Sequence, residues 1–86
     1  MTFRVPARVL LDDALSVLHE GVAAVAAGER EIDLTDVVSS DSGLIACILA
    51  WRRAARDAGG VLVISNPPAR LRGLALLYGV EKIALG

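Results

Sequence analysis

The chain has 86 residues, of which 55% are apolar and 22% charged, so residues 1–86 are expected to form one small folded domain. Nine basic and ten acidic residues give a net charge of −1 at pH 7, which argues against general nucleic-acid binding. The single cysteine excludes an internal disulfide and a multi-cysteine metal site. With no apolar run of roughly 18 residues and no signal peptide, we expect a soluble, cytoplasmic protein that uses no metal or cofactor.

The first third of the chain predicts a short strand and then an amphipathic helix. Thr2–Val5 alternates weakly, and Pro6 confines such a strand to an edge or an end. Apolar residues then recur at spacings of four and three, which puts them on one helix face: Leu11, Leu15, Leu18, Val22 and Val25. Asp12 or Asp13 is suited to cap the start of this helix, and Gly28 to end it.

A second strand and helix follow. A buried strand is predicted over at least Glu31–Thr35, and the polar break Ser39–Gly43 separates it from the next helix. The apolar stripe of that helix consists of Leu44, Ile45, Ile48, Trp51 and Ala55. Gly59–Gly60 should end it.

The last third predicts one more strand, a turn and a third helix. Val61–Ile64 is an apolar run of strand length, and Asn66–Pro68 is typical of a turn. Pro68 suits the first position of the third helix, which Gly79 should end. The apolar side of that helix carries Leu71, Leu74, Ala75 and Tyr78, and a short apolar tail, Val80–Leu85, follows.

The resulting order, β-α-β-α-β-α, predicts a small α/β domain with a mainly parallel sheet and right-handed crossovers. Three short strands form a thin sheet, unless Arg8–Leu10 adds another strand. We therefore expect an exposed edge or apolar face that a partner, or a second copy of the chain in a homodimer, could cover.

The polar break before the second helix is the first candidate functional site. It follows the carboxyl end of a strand, where open α/β sheets commonly contact ligands, and the free N–H groups of a helix start favour a negative group. Asp41 or Ser42 could simply cap the helix. Ser42 could also be phosphorylated, which would place a negative charge beside Asp41, and beside Asp33 and Asp36 if these lie near. The two interpretations are compatible.

Basic residues gather in the second part of the chain. Residues 1–50 carry 8 acidic and 3 basic residues, whereas residues 51–86 carry 2 acidic and 6 basic ones. The arginines concerned are Arg52, Arg53, Arg56, Arg70 and Arg72. They either form a solvated face or dock an acidic partner or anionic lipid headgroups. Trp51, on the apolar stripe beside them, is expected in the core.

Enzymatic chemistry has little support. His19 is expected on the polar helix side with no converging partners, and Cys47 is expected to pack as a small hydrophobe. The chain contains neither G-x-x-x-x-G-K-[ST] nor G-x-G-x-x-G, which argues against nucleotide hydrolysis. An enzyme or nucleotide-binding module would need a ligand site at the Ser39–Gly43 break.

Several segments together resemble STAS domains, the small domains of anti-sigma-factor antagonists and sulfate-transporter tails. They are Ile32-Asp33-Leu34, Asp41-Ser42, and the helix to Trp51-Arg52-Arg53. The later segments Asn66-Pro67-Pro68-Ala69-Arg70-Leu71 and Leu76-Leu77-Tyr78-Gly79-Val80 look like MlaB-type STAS proteins of bacterial phospholipid transport. The resemblance runs from about Val5 onward.

This resemblance implies a fold of roughly four strands in a mixed sheet, with three to four helices packed mainly on one side. From the sequence we expect most of the family's usual N-terminal hairpin to be absent. It also implies a non-enzymatic adaptor that binds the ATPase subunit of an ABC transporter for phospholipids, which maintains outer-membrane lipid asymmetry. The adaptor would lie at the cytoplasmic side of the inner membrane, associated with the permease only through that ATPase.

The resemblance also assigns site residues. The Ser or Thr that starts the second helix in the family matches Ser42, and the acidic residue before it matches Asp41. Partner contact is expected at Ser40, Asp41, Ser42 and Gly43, with Arg52, Arg70 and Arg72 as further interface candidates. The alternative is an anti-sigma-factor antagonist switched by phosphorylation of Ser42. Many STAS domains carry a second glycine where this chain has Leu44, which makes its loop bulkier than in the phosphorylated antagonists.

Overall fold

The computed structural model describes residues 2–86 as two small parallel sheets and four helices. The elements in chain order are β1 (Phe3–Arg4), β2 (Arg8–Val9), α1 (Leu11–Ala26), β3 (Glu31–Asp33), β4 (Ser39–Ser40), α2 (Ser42–Asp57), β5 (Val63–Ser65), α3 (Ala69–Leu77) and α4 (Glu81–Leu85). The predicted tail at Val80–Leu85 is therefore mostly helix. Gly28, Gly59 and Gly79, each with a positive φ, follow the ends of α1, α2 and α3 as predicted.

The main sheet has the order β1-β3-β5, with both pairings parallel and Phe3, Ile32 and Ile64 in one row. Connections between parallel strands are as a rule right-handed, and with the strand order β1-β3-β5 this rule places α1 and α2 on the same sheet face. The two helices are in contact with each other. The predicted α/β domain with a parallel sheet is confirmed.

The strand arrangement differs from the mixed, roughly four-stranded sheet that the resemblance implies. Every pairing within residues 2–86 is parallel, because a helix or a long loop separates each strand from its partner. Arg8–Val9 does add a strand, but it pairs with Ser39–Ser40 in a separate two-stranded sheet. Part of the predicted polar break is thus a strand.

The core is built around α2. All five residues of its predicted apolar stripe are buried, and Trp51 among them is fully enclosed. The indole Nε1 of Trp51 donates a hydrogen bond to the Leu18 carbonyl oxygen at 3.0 Å, and the ring meets that of Phe3 edge-on at 5.7 Å between centroids. Because the indole N–H has a partner, the whole side chain can be buried without a desolvated donor.

The orientation of α1 differs from the predicted one. Its buried residues are Val17, Gly21 and Val25, whereas Leu11 is 68% and Leu15 65% exposed. The reason is Gly21, which lies directly against the Trp51 indole. Only a face with such a small residue lets α1 approach α2 closely, and this turns part of the leucine stripe towards solvent.

The sheet face away from the helices carries a network of polar side chains. The Glu31 carboxylate accepts hydrogen bonds from the hydroxyls of Thr2 and Ser65. Asp33 accepts from the backbone N–H and hydroxyl of Thr35 and from the amide of Asn66. The hydrogen bonds donated by Ser65 and Thr2 lower the pKa of Glu31. Those donated by Thr35, and a smaller effect of Asn66, lower the pKa of Asp33.

This network predicts a loss of stability in acid. Both carboxylates have a lower pKa in the folded chain than in the unfolded chain, so on acidification the unfolded chain takes up protons at a higher pH than the folded one. The stabilisation is therefore complete above the unfolded pKa of about 4 and is lost as pH falls through the folded pKa. The urea midpoint should therefore stay level from neutral pH to about pH 5 and fall below about pH 4. Glu31→Gln should flatten this decline, and an unchanged acid dependence in that variant would contradict the assignment.

Candidate functional site

The starts of α1 and α2 meet at one carboxylate, that of Asp41. Its Oδ1 accepts a hydrogen bond from the backbone N–H of Gly43 at 2.8 Å, which makes Asp41 the N-cap of α2. Its Oδ2 accepts from the backbone N–H of Leu11, the first residue of α1, at 3.1 Å. One negative group therefore satisfies free donors at the positive ends of two helices. The capping prediction for Asp41 is confirmed, and such a cap contributes about 1 kcal/mol.

Ser42 is the first residue of α2 and is half-buried. Its hydroxyl has no hydrogen-bond partner among residues 2–86. With Asp41 acting as the cap, the Ser42 hydroxyl is not required for the helix start. It therefore remains able to donate to, and accept from, a group outside the chain.

Gly43 is buried beneath this position. A Cβ atom added there would lie 3.0 Å from Asp41 Oδ1 and 3.2 Å from Ala14 Cβ. Gly43 therefore allows α1 and α2 to approach each other at their starts. Of the four residues predicted for partner contact, Gly43 is therefore a packing residue whose backbone N–H is capped by Asp41. Ser40, Asp41 and Ser42 are half-buried and reach the surface.

A groove of about 350 Å³ runs from this helix start to α3. Ser40 and Asp41 form one wall. The remaining lining residues are Arg70, Leu71, Gly73, Leu74 and Leu77. Leu77 is 79% exposed, and Arg70 has no hydrogen bond or ion pair with the described part of the chain. We call the set Leu11, Ser40, Asp41, Ser42, Arg70, Leu74 and Leu77 the Ser42 surface.

The three arginines predicted as interface residues have different surroundings. Arg70 lines the groove of the Ser42 surface. Arg52 instead donates two internal hydrogen bonds, from Nε to the Ala84 carbonyl oxygen at 2.6 Å and from Nη1 to that of Leu62 at 2.8 Å. Arg72 forms an ion pair with Glu81. Arg52 and Arg72 therefore hold α4 and β5 in place, a role that the sequence does not reveal because their partners are distant or belong to the backbone.

Other sequence candidates lie apart from this surface. Asp33 is hydrogen-bonded to Thr35 and Asn66, and Asp36 is paired with Arg4 at 2.9 Å. Neither carboxylate contacts Ser42 through any bond among residues 2–86. The prediction that Cys47 packs as a small hydrophobe is confirmed: it is buried, and desolvation raises the pKa of its thiol.

The groups at the site are suited to binding another molecule. Its polar groups are a free hydroxyl, a capping carboxylate and an unpaired guanidinium, beside exposed leucines. Over the described range 2–86, no cluster of His, Cys, Asp and Glu is arranged to hold a metal ion. His19, which is exposed, has no partner in that range. The adjacent Asp41 carboxylate accepts backbone hydrogen bonds at both oxygens and has none with the Ser42 hydroxyl, so the structure does not show an activated nucleophile. The arrangement is suited to binding another surface.

The parallel sheets, the four helices and the Asp-Ser helix start describe a small α/β domain that is compatible with a STAS-like fold. The family described as "Mlab, STAS domain" matches residues 4–85, and the chain therefore belongs to this family of MlaB-like STAS domains. STAS domains are in general non-catalytic accessory or regulatory modules. No curated protein sequence matches the chain. Among the described residues, no helix combines the length and apolarity needed to cross a membrane.

Proposed function

We propose that this protein is a non-catalytic adaptor that binds the ATPase subunit of a phospholipid ABC transporter and stabilises or activates it. The observation that carries the proposal is the free Ser42 hydroxyl at the joint start of two helices, in a chain of the MlaB-like family. Through that ATPase, the protein would associate indirectly with an inner-membrane permease and contribute to outer-membrane lipid asymmetry.

The composition of the Ser42 surface supports a protein partner. Leu11 and Leu77 expose large apolar side chains on either side of the polar helix start. Protein interfaces combine an apolar centre with a few polar groups that fix orientation, and arginine is enriched in them. In this arrangement Leu11, Leu74 and Leu77 supply apolar contact, while Ser42 and Arg70 supply directed hydrogen bonds.

Ser42→Arg tests the proposal. A long charged side chain at the first residue of α2 would project into the docked surface, while Asp41 would still cap the helix. Ser16→Arg is the matched control, since Ser16 is exposed on α1 and lies outside the Ser42 surface. In affinity pull-downs from the native host followed by mass spectrometry, the wild type and Ser16→Arg should recover the ATPase and its permease. Ser42→Arg should recover at least about tenfold less.

Folding must be verified for the variants. The circular dichroism spectrum of Ser42→Arg should match that of the wild type, and its free energy of unfolding should fall by no more than about 1 kcal/mol, since a cation at the start of a helix is mildly unfavourable. Equal recovery of the ATPase by a folded Ser42→Arg variant would show that this surface is not the docking site. Absence of any ABC ATPase from the wild-type pull-down would remove the adaptor proposal itself.

The alternative is an anti-sigma-factor antagonist that phosphorylation of Ser42 switches. The unpaired hydroxyl at a helix start favours this chemistry, because the helix dipole would stabilise the added charge. The adjacent Asp41 carboxylate would oppose it. Intact-mass measurement on protein from the native host distinguishes the two functions: stoichiometric phosphate on Ser42, with a kinase or an anti-sigma factor in the pull-down, would favour the switch.

A further inference from the structure

A second groove lies at the opposite end of α2. It has a volume of about 360 Å³, and we call it the arginine groove. Its lining residues are Leu49, Arg52, Arg53, Arg56, Val80 and Ile83. Along α2, Arg56 lies about 20 Å from Ser42, and Leu49, the groove residue nearest to Ser42 on this helix, lies about 10 Å from it. The two surfaces share no residue. The arginine groove is therefore distinct from the Ser42 surface.

The charge of this groove is largely uncompensated. Arg53 is exposed and has neither a hydrogen bond nor an ion pair with residues 2–86. Arg56 has only a loose contact with its neighbour Asp57, 3.9 Å between Nε and Oδ1, and both side chains are largely exposed. Arg52 differs, because its guanidinium already donates to two carbonyl oxygens. Two guanidinium groups are thus available at the rim.

The rest of the lining is apolar. Leu49 and Val80 are half-buried, and Ile83 on α4 is 66% exposed. The favourable effect of a helix C-terminus on cations accounts for arginines there, but it does not account for an apolar groove between them. An apolar concavity with paired cations at its rim complements a segment that carries both an apolar side chain and carboxylates.

We propose that the arginine groove binds an acidic peptide segment of a partner protein. An apolar side chain of that segment contacts Leu49, Val80 and Ile83, while its carboxylates pair with Arg53 and Arg56. The concave shape favours a peptide over a lipid bilayer, which presents a flat surface. The proposal uses none of the residues of the Ser42 surface, so it holds or fails independently of the proposed function.

The test is a titration by fluorescence anisotropy. The probe is a labelled short peptide of glutamates with a leucine at every third or fourth position, and its comparator carries glutamine in place of every glutamate. The full chain should bind the acidic probe saturably at low salt and the glutamine peptide at least about tenfold more weakly. Added salt should weaken binding of the acidic probe, because rim charges at an interface are screened.

Two double variants separate local charge from net charge. Arg53→Gln with Arg56→Gln lowers the net charge by two, and so does Ser16→Glu with Ala23→Glu on the exposed side of α1. The two variants are compared at about 0.1 M salt, where the screening length is about 10 Å. The first should weaken probe binding about tenfold and the second less than about twofold, because the charges on α1 are then largely screened from the groove. Ile83→Ser should also weaken binding while preserving its salt dependence.

The proposal is overturned by several outcomes. They are no saturable binding of the acidic probe, equal loss in the two double variants, or binding only to phosphatidylglycerol vesicles. Light scattering supplies another: concentration-dependent dimerisation that Arg53→Gln with Arg56→Gln abolishes would identify a second copy of the chain as the occupant. Saturable peptide binding that only the arginine variant and Ile83→Ser weaken supports the proposal.

Discussion

Replacing Gly21 with alanine should lower the free energy of unfolding by about 2 kcal/mol, although alanine is the better helix former. The added Cβ would lie 2.2 Å from Trp51 Cε2 and 2.3 Å from Nε1, well inside van der Waals contact. Trp51 cannot move away, because it is fully buried and its Nε1 is hydrogen-bonded to Leu18. Overpacking of about 3 kcal/mol thus opposes a propensity gain of about 1 kcal/mol.

Gly73→Ala is the matched control. Gly73 also lies inside a helix, α3, but a Cβ added there meets no atom within 4 Å. Its substitution should raise the free energy of unfolding by about 0.5–1 kcal/mol, since only the propensity effect remains. Urea unfolding of both variants, followed by far-ultraviolet circular dichroism, measures the difference in sign.

A double variant identifies the cause. Trp51→Phe removes the outer indole atoms, Cζ2 among them, and the hydrogen bond to Leu18 that fixes the ring. The smaller ring can then shift away from the new Cβ, so Gly21→Ala should cost less in that background than in the wild type. Should Gly21→Ala cost the same in both backgrounds, or stabilise the protein, then the close approach of α1 to Trp51 is not what requires glycine. The comparison remains informative when Gly21→Ala alone is only marginally folded.

The same contact explains why one helix was predictable in detail and another was not. The apolar stripe of α2 is buried as predicted, because the residues that pack against it belong to the same hydrophobic core. In α1 the spacing correctly predicts a helix, but the buried face is set by fit: Gly21 accommodates the indole, and Leu15 is left exposed. Periodicity measures hydrophobicity around a helix and is insensitive to such shape matching.

The candidate site shows the same division. An Asp-Ser pair after a strand and before an apolar stripe is a local signal that correctly predicts a cap at Asp41 or Ser42, and the structure uses Asp41. The groove between Asp41 and α3 depends on how α3 lies against α2, and nothing local in the sequence specifies that. Leu77, for example, reads as one more apolar residue of a helix, yet it is 79% exposed beside the helix start.

Arg52→Ala should lower the free energy of unfolding by about 1.5–3 kcal/mol, the range for hydrogen bonds to a charged group. The Arg52 guanidinium, which extends from α2, donates to the Ala84 carbonyl oxygen in α4 and to the Leu62 carbonyl oxygen just before β5. Within residues 2–86, no other side chain connects these three parts of the fold by hydrogen bonds. Partial burial lowers the pKa of Arg52, but arginine stays protonated at neutral pH and keeps both donors charged.

Arg53→Ala is the control for this substitution. It removes the same atoms from the neighbouring residue, which is exposed and unpaired within the described chain, so its effect should stay within about 0.5 kcal/mol. Arg52→Lys should lie between the two, because one ammonium cannot readily reach both carbonyl oxygens. Hydrogen exchange gives a second readout. The backbone N–H of Ala84 donates to the carbonyl oxygen of Val80, the N-cap of α4, and should exchange faster in Arg52→Ala but not in Arg53→Ala. Equal stability and exchange in the two alanine variants would mean that α4 is anchored by its buried Ala84 and Leu85 side chains rather than by Arg52.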